Sequence, residues 1–488
     1  MSVVEVRGGP DAVASTTSLR RWVGLLGIGL AVAATRLLIT VGPLAALGIV
    51  VVGLFGAWLL LDFTAAAIGL FVASLLVPNG VALYFGPNVP LLTLQRAMFA
   101  LLVAGAFLHA PLRFTTALWT APRARLLLGM MLILAISTIL SSQPGVSTEE
   151  FFSERALGLP FYFAAVWIAL QDARAAKYVL WGIVVASLII LLLAAGEAVT
   201  GRGVVASLGV LPPAKLLSLG YREVLERRVG LPRVESVFQH PLQLGAYLVA
   251  LVPLLIVLRR QALTRSGRLL CNVTLGLGLL ALVFTWSRGA WLALLLALLL
   301  SSGRGGRRWL VLGAGGAAFL LVWWRLGFLT GGALGYRWWL IRGVAHSVLS
   351  HYGFGTGLGT FSQNVIVRIA STSQTAGVDP LAYSLTMAIE AGPLFVVLLW
   401  WLVGGSLREA ARARAQARDA GQTDVADLLG ALRAGLFANL LLSLFTTSLF
   451  GTTEGLFITF MLLAITLRLS RGDAGAGKAL PPEPALAR

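Results

Sequence analysis

The sequence predicts an all-α fold: a polytopic integral membrane helix bundle of about 12–14 transmembrane helices with two long loops on its outer face. Two observations predict it. Of the 488 residues, 58% are hydrophobic and only 12% charged, which leaves too little polar surface for a soluble globule. The apolar residues also fall in runs of roughly membrane-crossing length, separated by basic connections. The single cysteine, Cys271, lies inside such a run, so no internal disulfide and no cysteine metal cluster is expected.

Residues 1–18 are polar and read as a disordered cytoplasmic N-terminus. They lack the apolar run and small-residue cleavage site of a secretory signal, so the first apolar segment is expected to remain as a helix. The N-terminal transmembrane region, 19–198, has apolar runs at about 22–40, 41–60, 64–77, 92–108, 126–141, 157–170 and 178–198. A long connection, 199–242, leads to a central region, 243–324, with runs at about 243–258, 270–286, 289–302 and 309–324. A second long connection, 325–380, precedes the C-terminal region, 381–470, with runs at about 381–403, 434–450 and 454–468. The Gly/Ala/Pro-rich tail, 471–488, reads as disordered and cytoplasmic. Fourteen runs put both termini on one side; several are shorter than the ~20 residues of a perpendicular span, and a re-entrant pair would lower the count to twelve. Ser406–Leu432, rich in Ala and Arg with Asp419, Asp424 and Asp427, reads as an amphipathic surface helix or a solvated linker.

A net charge of +18 raises the question of nucleic acid, but basic side chains in a polytopic chain collect in short cytoplasmic connections. With the N-terminus cytoplasmic, the groups Arg113/Arg123/Arg125, Arg174/Lys177, Arg259/Arg260/Arg265/Arg268, Arg304/Arg307/Arg308 and Arg408/Arg412/Arg414/Arg418 fall inside. The segment with Arg468, Arg471 and Lys478 does so too, so six segments agree with the positive-inside rule. Nucleic acid is therefore not an expected partner, whereas membrane lipids are. The two long outer connections run against the rule. The first carries Arg202, Lys215, Arg222, Arg227, Arg228 and Arg233, and the second Arg325, Arg337, Arg342 and Arg368, which suggests an anionic ligand on the outer side.

Arg288 is the sole charge between Leu269 and Ser302. That stretch suits two short helices meeting at an outer-face turn, and Arg288 has two uses there: snorkelling to lipid headgroups, or function. In the second long loop, Gly335-Tyr336-Arg337-Trp338-Trp339 leads through His346 and His351 to Gly353, Gly355, Gly357 and Gly359. Alternating glycines allow close backbone approach or an anion-binding nest of amides, and a merely flexible loop fits equally. The planar fork of arginine holds two phosphate oxygens at once, so Arg288, Arg337 and Arg233 together suit a diphosphate, with Arg342 beside them. Each of them pairing separately with lipid phosphate is the simpler alternative.

Four ordered stretches carry a family resemblance: Arg233 to Phe238 followed by Pro241 to Leu248; Thr285 to Trp291; Arg337 to His351 running into Gly355, Gly357, Gly359 and Phe361; and Leu385 to Gly392 with Glu390. In these the chain resembles the membrane superfamily of O-antigen ligases and O-antigen polymerases; the N-terminal half matches only as a series of apolar helices. The resemblance implies transfer of a glycan from an undecaprenyl-pyrophosphate carrier to a hydroxyl acceptor at the outer face of a bacterial inner membrane, without metal or nucleotide sugar. It implies that Arg288 and Arg337 engage the pyrophosphate; Arg233, Arg342, Gly355, Gly357 and Gly359 are expected to bind substrate through the arginine forks and loop amides described above. A polymerase would also take a chain-length regulator as partner. One departure separates this chain from the ligase branch: the His-Asn pair expected ahead of Gly392 falls on Leu381-Ala382, and Phe395 replaces a glycine. The acceptor proton then needs another base, with His351 the first candidate and Glu235 the second. Glu390 reads as structural; His240, ahead of Pro241, either begins a helix or contacts substrate.

A transporter or flippase of an anionic lipid-linked substrate is the alternative from another class. Ion-coupled transport leaves acids within helices, and outside Glu390 and Glu454, which fall near helix ends or loops, the chain is expected to have almost none, which counts against transport. A transferase using lipid-phosphate sugars would need an acid in the first outer turn, and Val41-Gly42-Pro43 has none.

Overall fold

A computed structural model describes residues 53–59, 61–78, 82–83, 92–152, 158–170, 173–207, 223–228, 230–301, 343–346, 348–349, 355–360, 383–445 and 453–471. The runs at 22–40 and 309–324, and Arg337, Arg342 and His351, lie outside these residues, as does most of the run at 41–60.

The described chain is mostly helical. Helix α1 (Phe63–Leu76) begins at Asp62, whose side chain accepts from the N–H of Ala65 at 3.0 Å. A two-residue hairpin, β1 (Ala82–Leu83) with β2 (Leu92–Thr93), leads into α2 (Leu94–His109), capped by Thr93. Pro111 then starts α3 (Pro111–Thr120), which leaves α2 at 110°. The residue before a proline is driven out of the α region, so α2 stops at Ala110. Next come α4 (Ala124–Ile139), α5 (Pro144–Phe152), α6 (Gly158–Ala169) and α7 (Ala173–Thr200). The first long connection holds a short α8 (Val204–Ser207) and a hairpin of β3 (Arg227–Arg228) with β4 (Leu231–Pro232). The remaining helices are α9 (Pro241–Gln261), α10 (Arg265–Phe284), α11 (Arg288–Ser301), α12 (Tyr383–Glu390), α13 (Pro393–Asp419), α14 (Thr423–Phe445) and α15 (Thr453–Ser470).

Five of the described helices, α7, α9, α10, α13 and α14, are long and apolar enough to cross a membrane, and the bent α2–α3 pair would be a sixth as a broken span or re-entrant loop. This is an all-α membrane protein. Two expectations need correction. The apolar run at 381–403 is two helices, because Gly392 adopts φ 87° between α12 and α13. Ser406–Leu432 is no separate surface helix: it is the polar end of α13 and the start of α14, joined by a turn with Gly421 at φ 73°.

Helix α9 is the axis of one group, packed by α10, α11 and α14, with 89% of its apolar window buried. Lipid offers no hydrophobic drive between helices, so close approach and interhelical hydrogen bonds must hold them. Gly435 of α14 lies over the backbone of Ala250, and Asn439 Nδ2 donates to the Ala246 carbonyl at 3.1 Å. Ser187 and Tyr247 share a 2.6 Å bond between α7 and α9. A second group, α1 to α4, packs around α6, and α7 and α15 join the two groups.

Hydrogen bonds also sort the two ends of the bundle. At one end Glu409 meets both Arg123 and Arg471, Gln261 Nε2 donates to the Asp424 carbonyl at 2.7 Å, and Gly267 packs beside Trp181. Basic connections far apart in sequence thus share one end. The C-terminal ends of α4, α7, α10 and α12 share the other.

Candidate functional site

The site is built at this second end, where the first long connection meets the α10–α11 turn. Helix α10 ends at Thr285, whose hydroxyl donates to the Leu282 carbonyl at 2.7 Å. Trp286 follows with φ 52°, a left-handed backbone that a bulky L-residue adopts only under constraint, at a cost of order 1–3 kcal/mol. Its indole Nε1 is buried with no hydrogen-bond acceptor among the described residues. Ser287 is buried against Gly245 of α9, where a Cβ would stand 3.2 Å from that of the serine. Arg288 is the first residue of α11 and is half-buried. Trp291, one turn on, ties the turn to α10 by donating from Nε1 to the Leu282 carbonyl at 2.9 Å.

The first connection supports this turn from beside it. The N–H of Val234 donates to the Phe284 carbonyl at 3.3 Å, and Arg233 Nε donates to the Thr285 carbonyl at 3.2 Å. Arg233 is itself buried, with Nη1 2.7 Å from Glu226 Oε2. The residue expected from sequence to hold a diphosphate thus has its guanidinium committed to Glu226 and to a carbonyl of the α10–α11 turn. Arg233 and Arg288 are brought to one place, but Arg233 reaches it as a strut.

Glu197, which is not among the residues expected from sequence, completes the support. Gly201, φ 68°, ends α7 in the manner of a C-terminal glycine, and three residues inside the helix end Glu197 is fully buried. Its Oε2 accepts from the N–H groups of Glu235 at 2.9 Å and Ser236 at 2.6 Å, and its Oε1 from that of Val204 at 2.9 Å. Ser236 also has φ 55° and donates its hydroxyl to the Ile190 carbonyl at 2.7 Å. The sequence carries a signal for Glu197: it is the sole charge in the apolar run 178–198. Glu235, the second candidate base, is buried at 3% exposure. His240 caps α9, its Nδ1 accepting from the N–H of Leu242 at 3.0 Å.

The glycine loop sits at the same end, with Gly355, Gly357 and Gly359 at φ 83°, 106° and 72°. A Cβ at Gly355 would lie 2.5 Å from the Glu390 carbonyl oxygen, one at Gly357 would overlap Ser141, and one at Gly359 would come within 3.0 Å of Glu150. The N–H groups of Thr356 and Gly357 donate to the carbonyls of Ile389 at 2.8 Å and Glu390 at 3.1 Å. Ser137 donates to the same Glu390 carbonyl, and Ser147 donates to that of Leu358 at 2.9 Å. These glycines allow the loop to pack closely on α4, α5 and α12, and two of the amides that an anion nest would present are already bonded to protein. The side chain of Glu390 is buried.

Among the described residues no group of three or more His, Cys, Asp or Glu is arranged to hold a metal ion. Among the described residues, the α10–α11 turn carries the half-buried Arg288 beside the strained backbone of Trp286. Comparison with known proteins finds no family model that matches this chain and no matching curated protein.

Proposed function

We propose that this chain is a membrane glycosyltransferase, a polysaccharide polymerase or ligase-like enzyme, that moves a glycan from an undecaprenyl-pyrophosphate carrier to a hydroxyl acceptor at the outer face of a bacterial inner membrane. The carrying observation is the setting of Arg288: half-buried, on a turn with strained Trp286, braced by Arg233 and Val234, at the end of the bundle away from the Arg123–Glu409–Arg471 cluster. An arginine that merely snorkels to headgroups needs no such framework. Strained, over-determined backbone of this kind gathers at working sites.

In the proposed reaction the acceptor oxygen attacks the anomeric carbon, the bond from that carbon to the pyrophosphate oxygen breaks, and the electron pair leaves with the diphosphate. Arg288 stabilises that growing negative charge, Arg337 assists it, and the acceptor proton passes to a base, with His351 the first candidate. Arg233 is a positioning residue, and Glu235, buried in the bundle, is the less accessible candidate for the base. Transport is the less favoured reading, because both carboxylate oxygens of Glu197 serve fixed backbone N–H groups, which suits a brace better than a group that loads and unloads a coupling ion.

The test incubates the purified full-length chain in liposomes with lipid-pyrophosphate oligosaccharide extracted from host membranes. A product ladder is expected of a polymerase and a single transfer of a ligase; unaltered substrate crossing the bilayer would overturn the enzyme reading.

A further inference from the structure

Helix α3 lies at the end of the bundle that carries the Arg123–Glu409–Arg471 contact. Pro111 starts it, and Arg123, with φ 67°, turns the chain into α4 three residues after it ends. Its buried face is Phe114 and Ala117, packed on α4 and α6, with the Phe114 ring 6.1 Å from that of Phe107 and 6.5 Å from that of Phe161. On the opposite face Leu112, Thr116 and Trp119 stand at i, i+4 and i+7 and so form one stripe. Leu112 is 81% and Trp119 62% exposed, and Phe107 and Leu108, at the adjoining end of α2, are exposed as well.

The pair α2–α3 is apolar enough, counted together, to pass as a span, yet its geometry does not carry the chain across a bilayer. Ten residues of helix are about 15 Å long, half the hydrocarbon core. With α2 along the bilayer normal, the 110° bend turns α3 nearly flat, and over its whole length it returns only about 5 Å toward the core. The three exposed threonines suit such a place. Thr115 donates to the Pro111 carbonyl at 3.0 Å, Thr116 to that of Leu112 at 2.6 Å and Thr120 to that of Thr116 at 2.8 Å, so each hydroxyl proton is satisfied within the helix without water. Arg113 lies on the flank of the stripe, with a stem long enough to reach headgroups. We infer that α3 is an interfacial helix lying in the plane of the membrane, its Leu112–Thr116–Trp119 stripe immersed in the lipids of the leaflet at that end. Tryptophan is enriched at that depth, and helices of this kind sink their apolar face about 5–10 Å below the headgroups. The bend is thus neither a broken span nor a deep re-entrant loop. The inference is independent of the proposed transfer reaction.

To test it, single cysteines are introduced into the full-length chain on a Cys271→Ser background, labelled with a fluorophore and reconstituted at low density in phosphatidylcholine liposomes. Leu112→Cys and Trp119→Cys report on the stripe. Leu263→Cys, at a position 90% exposed between α9 and α10, is the aqueous reference, and Ile189→Cys, on the exposed side of the membrane-crossing α7, is the deep one. Each is quenched by iodide present on both sides of the bilayer, and by lipids carrying a nitroxide at acyl carbon 5 or carbon 12. At positions 112 and 119 the carbon-5 lipid should quench at least about threefold more than iodide and more than the carbon-12 lipid, with the order against iodide reversed at 263 and carbon 12 strongest at 189. Iodide quenching equal to that at 263 would overturn the inference by placing the stripe in water. Absence of quenching by either lipid would overturn it by showing the face covered by protein, whether another segment or a second copy. Stronger quenching from carbon 12 at both positions would do so by placing α3 deep in the core. Should either variant fail to fold, Thr116→Cys, on the same stripe, takes its place.

Discussion

Arg233 Nε donates to the carbonyl of Thr285 at 3.2 Å, three residues before Arg288. The bond joins the first long connection to the turn that presents the candidate catalytic arginine, and it is the only side-chain bond described between them that starts from a charged group fixed at its other edge by Glu226. Removing the guanidinium would release both the buried carbonyl and the carboxylate.

The first prediction follows from that release. Arg233→Ala should lower stability by about 1–3 kcal/mol, the cost of leaving a buried acceptor unpaired, with Glu226 partly relieved by its exposure. Arg233→Lys should recover only part of the loss, because one ammonium cannot reproduce the planar fork that serves two partners. Thermal unfolding of the purified protein in detergent checks the order; equal stability of the alanine variant and the parent would remove the strut from the account.

Glu197 gives the second prediction. Glu197→Ala orphans the backbone N–H groups of Glu235 and Ser236, both buried, and the part-buried one of Val204, whereas Glu197→Gln keeps one acceptor oxygen and loses the other. The alanine variant should be the less stable by at least about 1 kcal/mol. Limited proteolysis adds a local readout: cleavage within 223–240 should accelerate in the order parent, glutamine, alanine. Uniform acceleration across the whole chain would point to general unfolding rather than loss of a local brace.

What was legible beforehand depended on how far a signal reaches along the chain. The runs at 178–198 and 243–258 lie within α7 and α9 because long apolar stretches leave the backbone no other way to satisfy its polar groups in lipid. Helices α3 and α5 were missed: each is ten residues or fewer, starts at a proline and has mixed polarity, so each reads as part of a connection. The break between α12 and α13 was hidden because hydropathy continues across Gly392 while the backbone does not. At the site, Arg288 stood out as a charge among apolar neighbours. Its support did not, since Glu197 lies 38 and 39 positions from Glu235 and Ser236 in the first connection, and no local pattern relates them. The glycine run was visible, but its packing against Ser141 and Glu390 is a tertiary fact.

That packing yields the third prediction. Gly357→Ala would force a side chain onto Ser141 and Ser147 at φ 106°, and both effects destabilise. Adding Ser141→Gly should restore part of the loss by removing the steric term, while the backbone term stays. Gly129, in α4 with open space around its Cβ position, is the contrast: Gly129→Ala should be neutral or stabilising by up to about 1 kcal/mol. Melting temperatures of the four proteins check the ranking, and a Gly357→Ala protein as stable as Gly129→Ala would dissolve the close-packing argument.

The last prediction concerns the chemistry itself and rests on the proposed reaction. If Arg288 meets the leaving diphosphate, Arg288→Ala should reduce glycan transfer by about 10²- to 10³-fold, the loss typical of one charge-stabilising donor, while membrane insertion and melting temperature stay near those of the parent. Arg288→Lys should keep some activity, because a point charge survives although the bidentate fork is lost. A residue that merely snorkelled would behave differently: alanine would alter stability in the bilayer or insertion, lysine would restore it fully, and transfer per folded molecule would not change. Transfer from lipid-pyrophosphate oligosaccharide, normalised to folded protein, separates the two, because Arg233→Ala should lower activity together with stability, whereas Arg288→Ala should lower activity alone.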